Sequence, residues 1–266
     1  MRTLRLEDHG DDVGLLQRRL ARAGFGTDAT HLFDASTEAA VMALQRATGL
    51  VVDGIAGTKT YAALATGRRD PKHLADADLV RAAATLGVPV ACVRAVNEVE
   101  SRGAGFLADG RPVILFERHV FWKRLQFRGI DPAPLAAKYP SIVSQTRGGY
   151  LGGAAEYTRL ATAEQIDAGA AYESASWGAF QVMAYHWKRL GYAGVDEFVA
   201  RMESGEAEQL EAFVRYVAAD PALVAALKGR KWAAFAKGYN GEGYAANLYD
   251  VKLARAFDRY AQAVPA

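Results

Sequence analysis

Cysteine is almost absent from this chain, since Cys92 is the single one among 266 residues. One cysteine excludes an internal disulfide, and a metal site built on thiolates needs more than one. The five histidines fall into no metal-ligand spacing, which argues against a zinc amidase or zinc peptidase. We therefore expect no metal and no cofactor, and we interpret Cys92 as a packing residue.

Long apolar runs are also missing. No stretch of about 18 uninterrupted apolar residues occurs, so we expect no membrane span. Residues 1–10 carry charges throughout and lack the apolar core of a secretory signal, which predicts synthesis in the cytoplasm without a signal peptide. The net charge of +2 gives no strong attraction to nucleic acid, and we expect no nucleic-acid partner.

What is present fits a soluble chain with two packed domains. The composition is 51% hydrophobic and 23% charged, close to globular averages. The length suits one small and one ordinary domain at about 100–200 residues per domain. A polar, proline-containing stretch near residue 70 indicates a linker. We place a first domain at residues 1–67, the linker at 68–74 and a second domain at 75–266.

The first 70 residues contain two similar helical units and a third short helix. In each unit four residues share one helical face at three-and-four spacing: Val13, Leu16, Gln17 and Leu20, then Ala40, Val41, Leu44 and Gln45. An Asp53-Gly54 turn precedes the third helix, near residues 58–65. The pattern predicts a compact three-helix module.

The order of residues in this module resembles the peptidoglycan-binding module that many wall hydrolases carry at one end. The residues that carry the resemblance are Gln17, Leu20, Phe33, Asp34, Thr37, Val41, Gln45, Gly49, Leu50, Asp53, Gly54, Gly57 and Thr60. The resemblance spans residues 1–67 and implies binding to cell-wall peptidoglycan. Most of these residues also fit a structural role in holding three helices together.

Two glutamates lie at the end of the helix predicted for residues 90–100. A step of two residues rotates about 200° around a helix, so Glu98 and Glu100 face different ways. Glu100 continues the apolar stripe of Val93 and Val96, which predicts a half-buried carboxyl group. Burial raises the pKa of a carboxyl, and glycoside cleavage needs such a group as proton donor.

The residues after Glu100 predict a small sheet. A polar turn, Ser101-Arg102-Gly103, ends the helix, and residues 106–108 and 113–116 then fit a β-hairpin with an Asp-Gly turn near its tip. A helix that ends in a Glu before a small sheet resembles the lysozyme-like superfamily. The Glu-Ser-Arg-Gly step resembles goose-type lysozymes and lytic transglycosylases, which implies that Glu100 is the general acid.

A second catalytic carboxylate is harder to identify. Many lysozyme-like enzymes have an Asp on the hairpin, and here Asp109 and Glu117 are available. Asp109 lies in the turn, where its short side chain has a conformational role. Glu117 is the tentative second catalytic residue, with an ion pair to Arg118 or Arg111 as the alternative. A single glutamate also fits this superfamily, and the stereochemical outcome stays open.

Two later segments extend the resemblance to transglycosylase-type lysozyme folds. The first runs Ser-Trp-Gly-Ala-Phe-Gln-Val-Met from Ser176; Phe180, Met183 and Trp187 repeat at helical spacing, which predicts a helix with Gln181 in its first turn. The resemblance implies that Gln181 and Ser176 line a sugar cleft, while helix capping is the alternative for Gln181.

The second segment is Tyr239-Asn240-Gly241-Glu242-Gly243-Tyr244, which resembles the Tyr-Asn-x-Gly step near the end of the same folds. The resemblance implies that Tyr239 and Asn240 reach the catalytic Glu or the N-acetyl groups. Aromatic rings stack on sugar faces and amides bond acetamido groups. A buried Tyr and an Asn in a turn are the structural alternatives.

Along essentially its whole length the chain resembles a modular phage endolysin with an N-acetylmuramidase domain. The implied fold is mainly α, with a three-helix bundle followed by a larger α+β lysozyme-like domain that has a small β-hairpin or sheet. The implied function is hydrolysis of the β-1,4 bond between N-acetylmuramic acid and N-acetylglucosamine, by a monomer made in the host cytoplasm and acting on the wall. The alternatives are a lytic transglycosylase that uses the same Glu and a non-enzymatic wall-binding or virion protein. The departure from the pattern is the lack of an unambiguous catalytic Asp.

Overall fold

The computed structural model describes residues 2–101 and 104–262; Arg102 and Gly103, which the sequence predicts to lie in a turn, are outside the described residues. The chain forms two compact units, one of Met1–Ala95 with Val251–Ala266 and one of Val96–Asp250. The wall-binding and catalytic boundaries at residues 67 and 75 stay a prediction. No single helix among the described residues is long and apolar enough to cross a membrane; Asp76–Leu86 and Val90–Glu100 pass that test only as a pair, bent by 117°.

The described residues are mostly helical, with one small sheet. The α-helices are α1 (Asp11–Arg22), α2 (Ala35–Thr48), α3 (Thr58–Thr66), α4 (Asp76–Leu86), α5 (Val90–Glu100), α6 (Arg118–Phe127), α7 (Pro132–Lys138), α8 (Ala155–Glu173), α9 (Val195–Ser204), α10 (Glu206–Ala218), α11 (Pro221–Lys228), α12 (Trp232–Asn240) and α13 (Tyr249–Gln262). The strands are β1 (Ile114–Phe116), β2 (Ala175–Trp177) and β3 (Val182–Met183), and short 3₁₀ helices cover Ala184–His186 and Glu242–Asn247.

The three-helix module is confirmed as α1, α2 and α3. All eight residues predicted to share the inner faces of the first two helices are buried. Asp34 caps α2 by accepting a hydrogen bond from the Thr37 N–H at 2.8 Å, and α2 ends at Gly49 in the left-handed conformation. The module therefore has an apolar core closed by ordinary helix caps.

Buried glutamines tie each of the two repeated helices to the loop that follows it. Gln45 donates from Nε2 to Asp53 Oδ1 at 2.6 Å and to the Ile55 carbonyl at 3.1 Å, and its Oε1 accepts from the N–H groups of Asp53 and Gly54. A carboxamide both donates and accepts, so one side chain satisfies backbone groups of both kinds. Gln45 thus fixes the turn that leads into α3.

Gln17 does the same one repeat earlier. Its Nε2 donates to the Leu32 carbonyl at 2.9 Å and to Thr37 Oγ1 at 2.8 Å, while its Oε1 accepts from the His31 N–H at 2.9 Å. The loop ahead of α2 is therefore held as the loop ahead of α3 is. The duplication predicted from the helices extends to their buried polar contacts.

The second unit contains an antiparallel sheet in the order β1-β2-β3. Ile114 pairs with Trp177, and Ser176 pairs with Met183. The small sheet is confirmed, but residues 106–108 do not supply its second strand, because Phe106 forms only an isolated bridge with Pro112. A two-stranded hairpin by itself is only marginally stable. β1 instead pairs with β2, which lies about 60 residues later in the sequence.

The prediction of a helix over residues 180–187 was wrong. β2 and β3 are joined by a tight turn in which Gly178 has φ +73° and Gln181 has φ +52°. A left-handed residue interrupts any helix, and the three-residue spacing of Phe180 and Met183 arose from a turn followed by a strand. Helical periodicity over so few residues did not distinguish the two structures.

A buried ion pair in the first turns of α8 bonds the backbone of β1 and of the segment before α8. Glu156 and Arg159 are almost fully buried, with Arg159 Nη1 2.7 Å from Glu156 Oε2. Glu156 also accepts from the N–H groups of Phe116, Leu151 and Gly152. Burial raises the pKa of Glu156, but these N–H groups and Arg159 outweigh it and the net shift is downward. The carboxylate stays charged because it is fully hydrogen-bonded.

Replacing Gln45 by leucine should destabilise the module. The change leaves the Asp53 and Gly54 N–H groups without their acceptor, and each buried group that loses its partner costs about 1–3 kcal/mol. We expect the free energy of unfolding in urea to fall by at least about 2 kcal/mol. The same substitution at the exposed Gln165 is the control and should change it little. Equal stability of both variants would contradict this account of Gln45.

The partly buried imidazole of His186 should make folding sensitive to acid. Burial lowers the pKa of His186 to about 4, and the charge of Arg189 acts in the same direction. In the unfolded chain a histidine titrates near 6.5, so the unfolded state binds more protons between these values. The contribution of the neutral His186 side chain to the free energy of unfolding is therefore fully present above about pH 6.5, and it declines as the pH falls toward 4.

The variant His186→Phe should keep its melting temperature over that pH range better than the wild type. Phenylalanine fits here because the ring lies 4.2 Å from Tyr185 and 5.1 Å from Tyr216, centroid to centroid. His9→Phe, at an exposed position, is the matched control and should follow the wild-type pH dependence. Parallel melting curves for wild type and His186→Phe from pH 7 to 4 would contradict the prediction.

Candidate active site

Glu100 is the last residue of α5, and its side chain is half-buried, as the sequence predicts. Behind it Val93 and Val96 are buried, so the residue that continues their stripe emerges at the edge of the apolar face. After it the Ala104 N–H donates to the Ser101 carbonyl at 3.1 Å. Glu100 thus lies at the C-terminal end of α5.

Asn240 contacts Glu100 directly. Its Nδ2 donates to Glu100 Oε1 at 2.9 Å, across 140 residues of sequence. Asn240 closes α12, and Gly241, with φ +78°, leads the chain away from it. The end of α12 therefore presents an uncharged amide to the carboxyl at the end of α5.

Tyr239 lies beside this pair but turns its hydroxyl elsewhere. The hydroxyl donates to the Phe180 carbonyl at 2.6 Å. Burial, and then the charge of Glu100, raise the pKa of Tyr239 well above its ordinary value, so the phenol stays neutral. Its ring packs against those of Phe213, Tyr216 and Phe235 at centroid distances of 5.3, 5.6 and 6.0 Å. Tyr239 joins α12 to the turn between β2 and β3.

Gln181 and Ser176 form a pair within that turn and its strand. The Ser176 hydroxyl donates to Gln181 Oε1 at 2.8 Å, and Gln181 Nε2 donates to the carbonyls of Gly178 at 2.8 Å and Val113 at 3.3 Å. These contacts hold a left-handed residue in place. The helix-capping alternative for Gln181 does not apply, since it lies in a turn between strands.

Glu117 follows β1 and is buried among three polar partners. The Tyr150 hydroxyl lies 3.0 and 2.8 Å from its two oxygens, Arg147 lies at 3.5 Å and His119 at 3.1 Å. Burial, with the carboxylate of Glu117, raises the pKa of Tyr150, so the phenol remains a donor. Burial lowers the pKa of His119 although Glu117 opposes the shift. Neither Arg118 nor Arg111, the partners considered from the sequence, supplies these contacts.

Asp109 has the turn role expected of it. Its carboxylate accepts from the Arg111 N–H at 3.1 Å and from the Arg111 side chain at 2.6 Å. These contacts lower the pKa of Asp109, chiefly through the guanidinium. In the described part of the chain no group of three or more His, Cys, Asp or Glu side chains is placed to hold a metal ion.

The structure thus joins Glu100, Asn240 and Tyr239 in one chain of contacts that ends at Phe180, next to Gln181. Ser176 belongs to the same turn through Gln181. Sequence reasoning missed Glu206 and Gln209, whose buried side chains bond backbone on both sides of this region. A signal was present, because both are polar residues on the inner face of α10 with Phe213.

Comparisons with known proteins give a family for each part of the chain. Residues 89–261 match the family model for N-acetylmuramidase, and residues 9–64 match that for a putative peptidoglycan binding domain. A crystal structure of a Burkholderia AP3 phage endolysin is 60% identical, with a TM-score of 0.95, and the match covers 98% of this chain and 100% of that one. No curated protein matches the chain.

These matches confirm the resemblance to modular phage endolysins, with the binding module in front and the larger domain behind, and they confirm the lysozyme-like glycosidase class of the larger domain. The muramidase match spans well over half of the chain and includes Glu100, Gln181 and Asn240. The chain belongs to the N-acetylmuramidase family.

Proposed function

We propose that this protein hydrolyses the β-1,4 bond between N-acetylmuramic acid and N-acetylglucosamine, with Glu100 as general acid. The supporting observation is the 2.9 Å hydrogen bond from Asn240 Nδ2 to Glu100 Oε1. An N–H donor pairs with the carbonyl oxygen of a protonated carboxyl, so the acidic proton belongs on Oε2. Asn240 thereby selects which oxygen delivers the proton to the departing sugar.

Glu117 is less suited to a catalytic role than Glu100. Both of its oxygens are engaged by the Tyr150 hydroxyl, and Arg147 Nη2 lies 3.5 Å from Oε1. A base that activates water needs an oxygen lone pair directed at that water. We propose a mechanism with one catalytic glutamate, in which Glu117 fixes the segment that carries Tyr150.

The other site residues divide into two roles. Asn240 orients Glu100, and Tyr239 supports it through the Phe180 carbonyl. Gln181 and Ser176 shape the turn between β2 and β3, and we propose that this turn borders the sugar. Amides and hydroxyls in such a position bond the acetamido and hydroxyl groups of the glycan.

The proposal extends to organisation and setting. We propose a wall-binding domain at residues 1–67, a linker at 68–74 and a catalytic domain at 75–266, consistent with the two family matches. We propose that the protein acts as a monomer. The substrate places the action in the bacterial cell wall after release from the host cytoplasm.

Replacing Glu100 by glutamine should abolish lysis while leaving the fold and wall binding intact. Glutamine has the same shape but cannot donate the proton, and general acid catalysis contributes about 100–10,000-fold. We expect at least about a 100-fold lower rate on purified peptidoglycan, measured by turbidity. Glu98→Gln, two residues earlier on another face of α5, is the matched control and should retain wild-type activity. A Glu100→Gln enzyme that lyses walls normally would remove the assignment.

The released fragments distinguish hydrolysis from its nearest alternative. A lytic transglycosylase uses the same acid but lets the muramic 6-hydroxyl attack in place of water. Mass spectra of digested peptidoglycan should show reducing muramic ends, the products of water attack. Anhydromuramic ends would make the protein a transglycosylase, and the absence of any soluble fragment would make it a non-enzymatic binding protein.

A further inference from the structure

The backbone at Gly105, five residues after Glu100 in sequence, is held by two side chains of α10. The Gly105 N–H donates to Glu206 Oε1 at 3.0 Å, and its carbonyl accepts from Gln209 Nε2 at 3.3 Å. Glu206 and Gln209 are 2% and 1% exposed. Residues three apart on a helix share a face, so the two side chains together bond the N–H and the carbonyl of one residue.

Gln209 also bonds the turn between β2 and β3. Its Oε1 accepts from the Ala179 N–H at 2.8 Å, and its Nε2 donates to the Met202 carbonyl at 2.9 Å. Ala179 precedes Phe180, the residue whose carbonyl accepts the Tyr239 hydroxyl. One carboxamide therefore connects the chain after Glu100, the end of α9 and the turn that leads to Gln181.

Two glycines allow this close approach. A Cβ atom at Gly105 would lie 2.2 Å from Gln209 Oε1 and 2.7 Å from Glu206 Cγ. A Cβ atom at Gly178, where φ is +73°, would lie 2.5 Å from Gln209 Cδ. Carbon atoms cannot approach so closely without displacement, so glycine is required on both sides of the Gln209 side chain.

The backbone continues the connection beyond these contacts. The Gly105 carbonyl also accepts from the Val113 N–H at 3.0 Å, and the Val113 carbonyl accepts from the Gly178 N–H at 2.8 Å and from Gln181 Nε2. Gln209 thus lies at the centre of a buried network that reaches both Gly105 and the turn of Gln181. Deleting it removes the contacts from Gly105, Ala179 and Met202 at once.

We propose that Gln209, supported by Glu206, is a positioning residue for glycosidic cleavage. It sets the end of α5, which carries Glu100, against the β2–β3 turn, through which Tyr239 and Gln181 are placed. The inference rests on the proposed role of Glu100 as general acid. Displacing a reacting group by about 1 Å can cost about 100-fold in rate even when the altered residue is remote.

The variant Gln209→Met tests this in the full chain, because methionine has a similar length but makes none of these hydrogen bonds. With purified peptidoglycan we expect kcat per folded molecule to fall at least about tenfold, with KM within about twofold and a displaced alkaline limb of the pH profile, the limb on which a general acid loses its proton. Folded fractions are measured by circular dichroism at the assay temperature. Glu208→Gln, a neighbour on α10, is the matched control and should match the wild type.

Glu206 provides the second pair of variants, in case Gln209→Met does not fold. Glu206→Gln keeps an oxygen acceptor for the Gly105 N–H, so it should retain kcat within about threefold. Glu206→Met removes the acceptor and should lower kcat at least about tenfold. A structural role alone would lower the melting temperature of the methionine variants but leave kcat per folded molecule and the pH profile unchanged.

The outcome separates this inference from the function on which it rests. If Glu100→Gln is inactive but the folded methionine variants have wild-type kcat and pH profile, Gln209 and Glu206 are structural residues and the inference fails alone. If Glu100→Gln is itself active, the proposed function fails, whatever the variants of α10 show.

Discussion

Much of the irregular backbone in this protein is buried, and every N–H and C=O group that leaves water must find another partner. Three glutamine side chains meet this requirement at the decisive places. Gln17 and Gln45 hold the loops that follow the two repeated helices of the module, and Gln209 bonds Gly105 and the β2–β3 turn beside the proposed active site. A carboxamide suits this task because it donates and accepts without bringing a charge into the core.

The same constraint shapes the site. Glu100 ends a helix and Asn240 ends another, so the carboxyl and the amide meet where regular structure stops on both sides. Helix ends are held less firmly than helix centres, and the turns beyond them determine the geometry. The contacts of Tyr239 with Phe180 and of Gln209 with Gly105 and Ala179 supply the rigidity that the short strands cannot.

Two buried carboxylates outside this centre are each bonded by several donors. Glu156 is buried, but its four hydrogen-bonding partners keep it ionised, and Glu117 is enclosed by Tyr150, Arg147 and His119. Tyr239 and Asn240, which adjoin Glu100, are uncharged. Asn240 therefore contacts Glu100 through a neutral amide.

The sequence by itself determined the elements whose physics is local. The three-helix module followed from apolar spacing and turn residues, and the half-buried position of Glu100 followed from the stripe of Val93 and Val96. The resemblance pointed to Asn240 and Tyr239 but not to their partners. Tertiary structure alone decided that β1 pairs with β2, that Gln181 lies in a left-handed turn, and that Glu117 is enclosed by Tyr150. The contact of Tyr150 with Glu117 joins residues 33 positions apart, and the pairing of β1 with β2 joins residues about 60 positions apart. The left-handed conformation of Gln181 depends on contacts of this kind. No local pattern encodes such contacts, since they depend on which distant segment fills the space beside a residue once the core has formed.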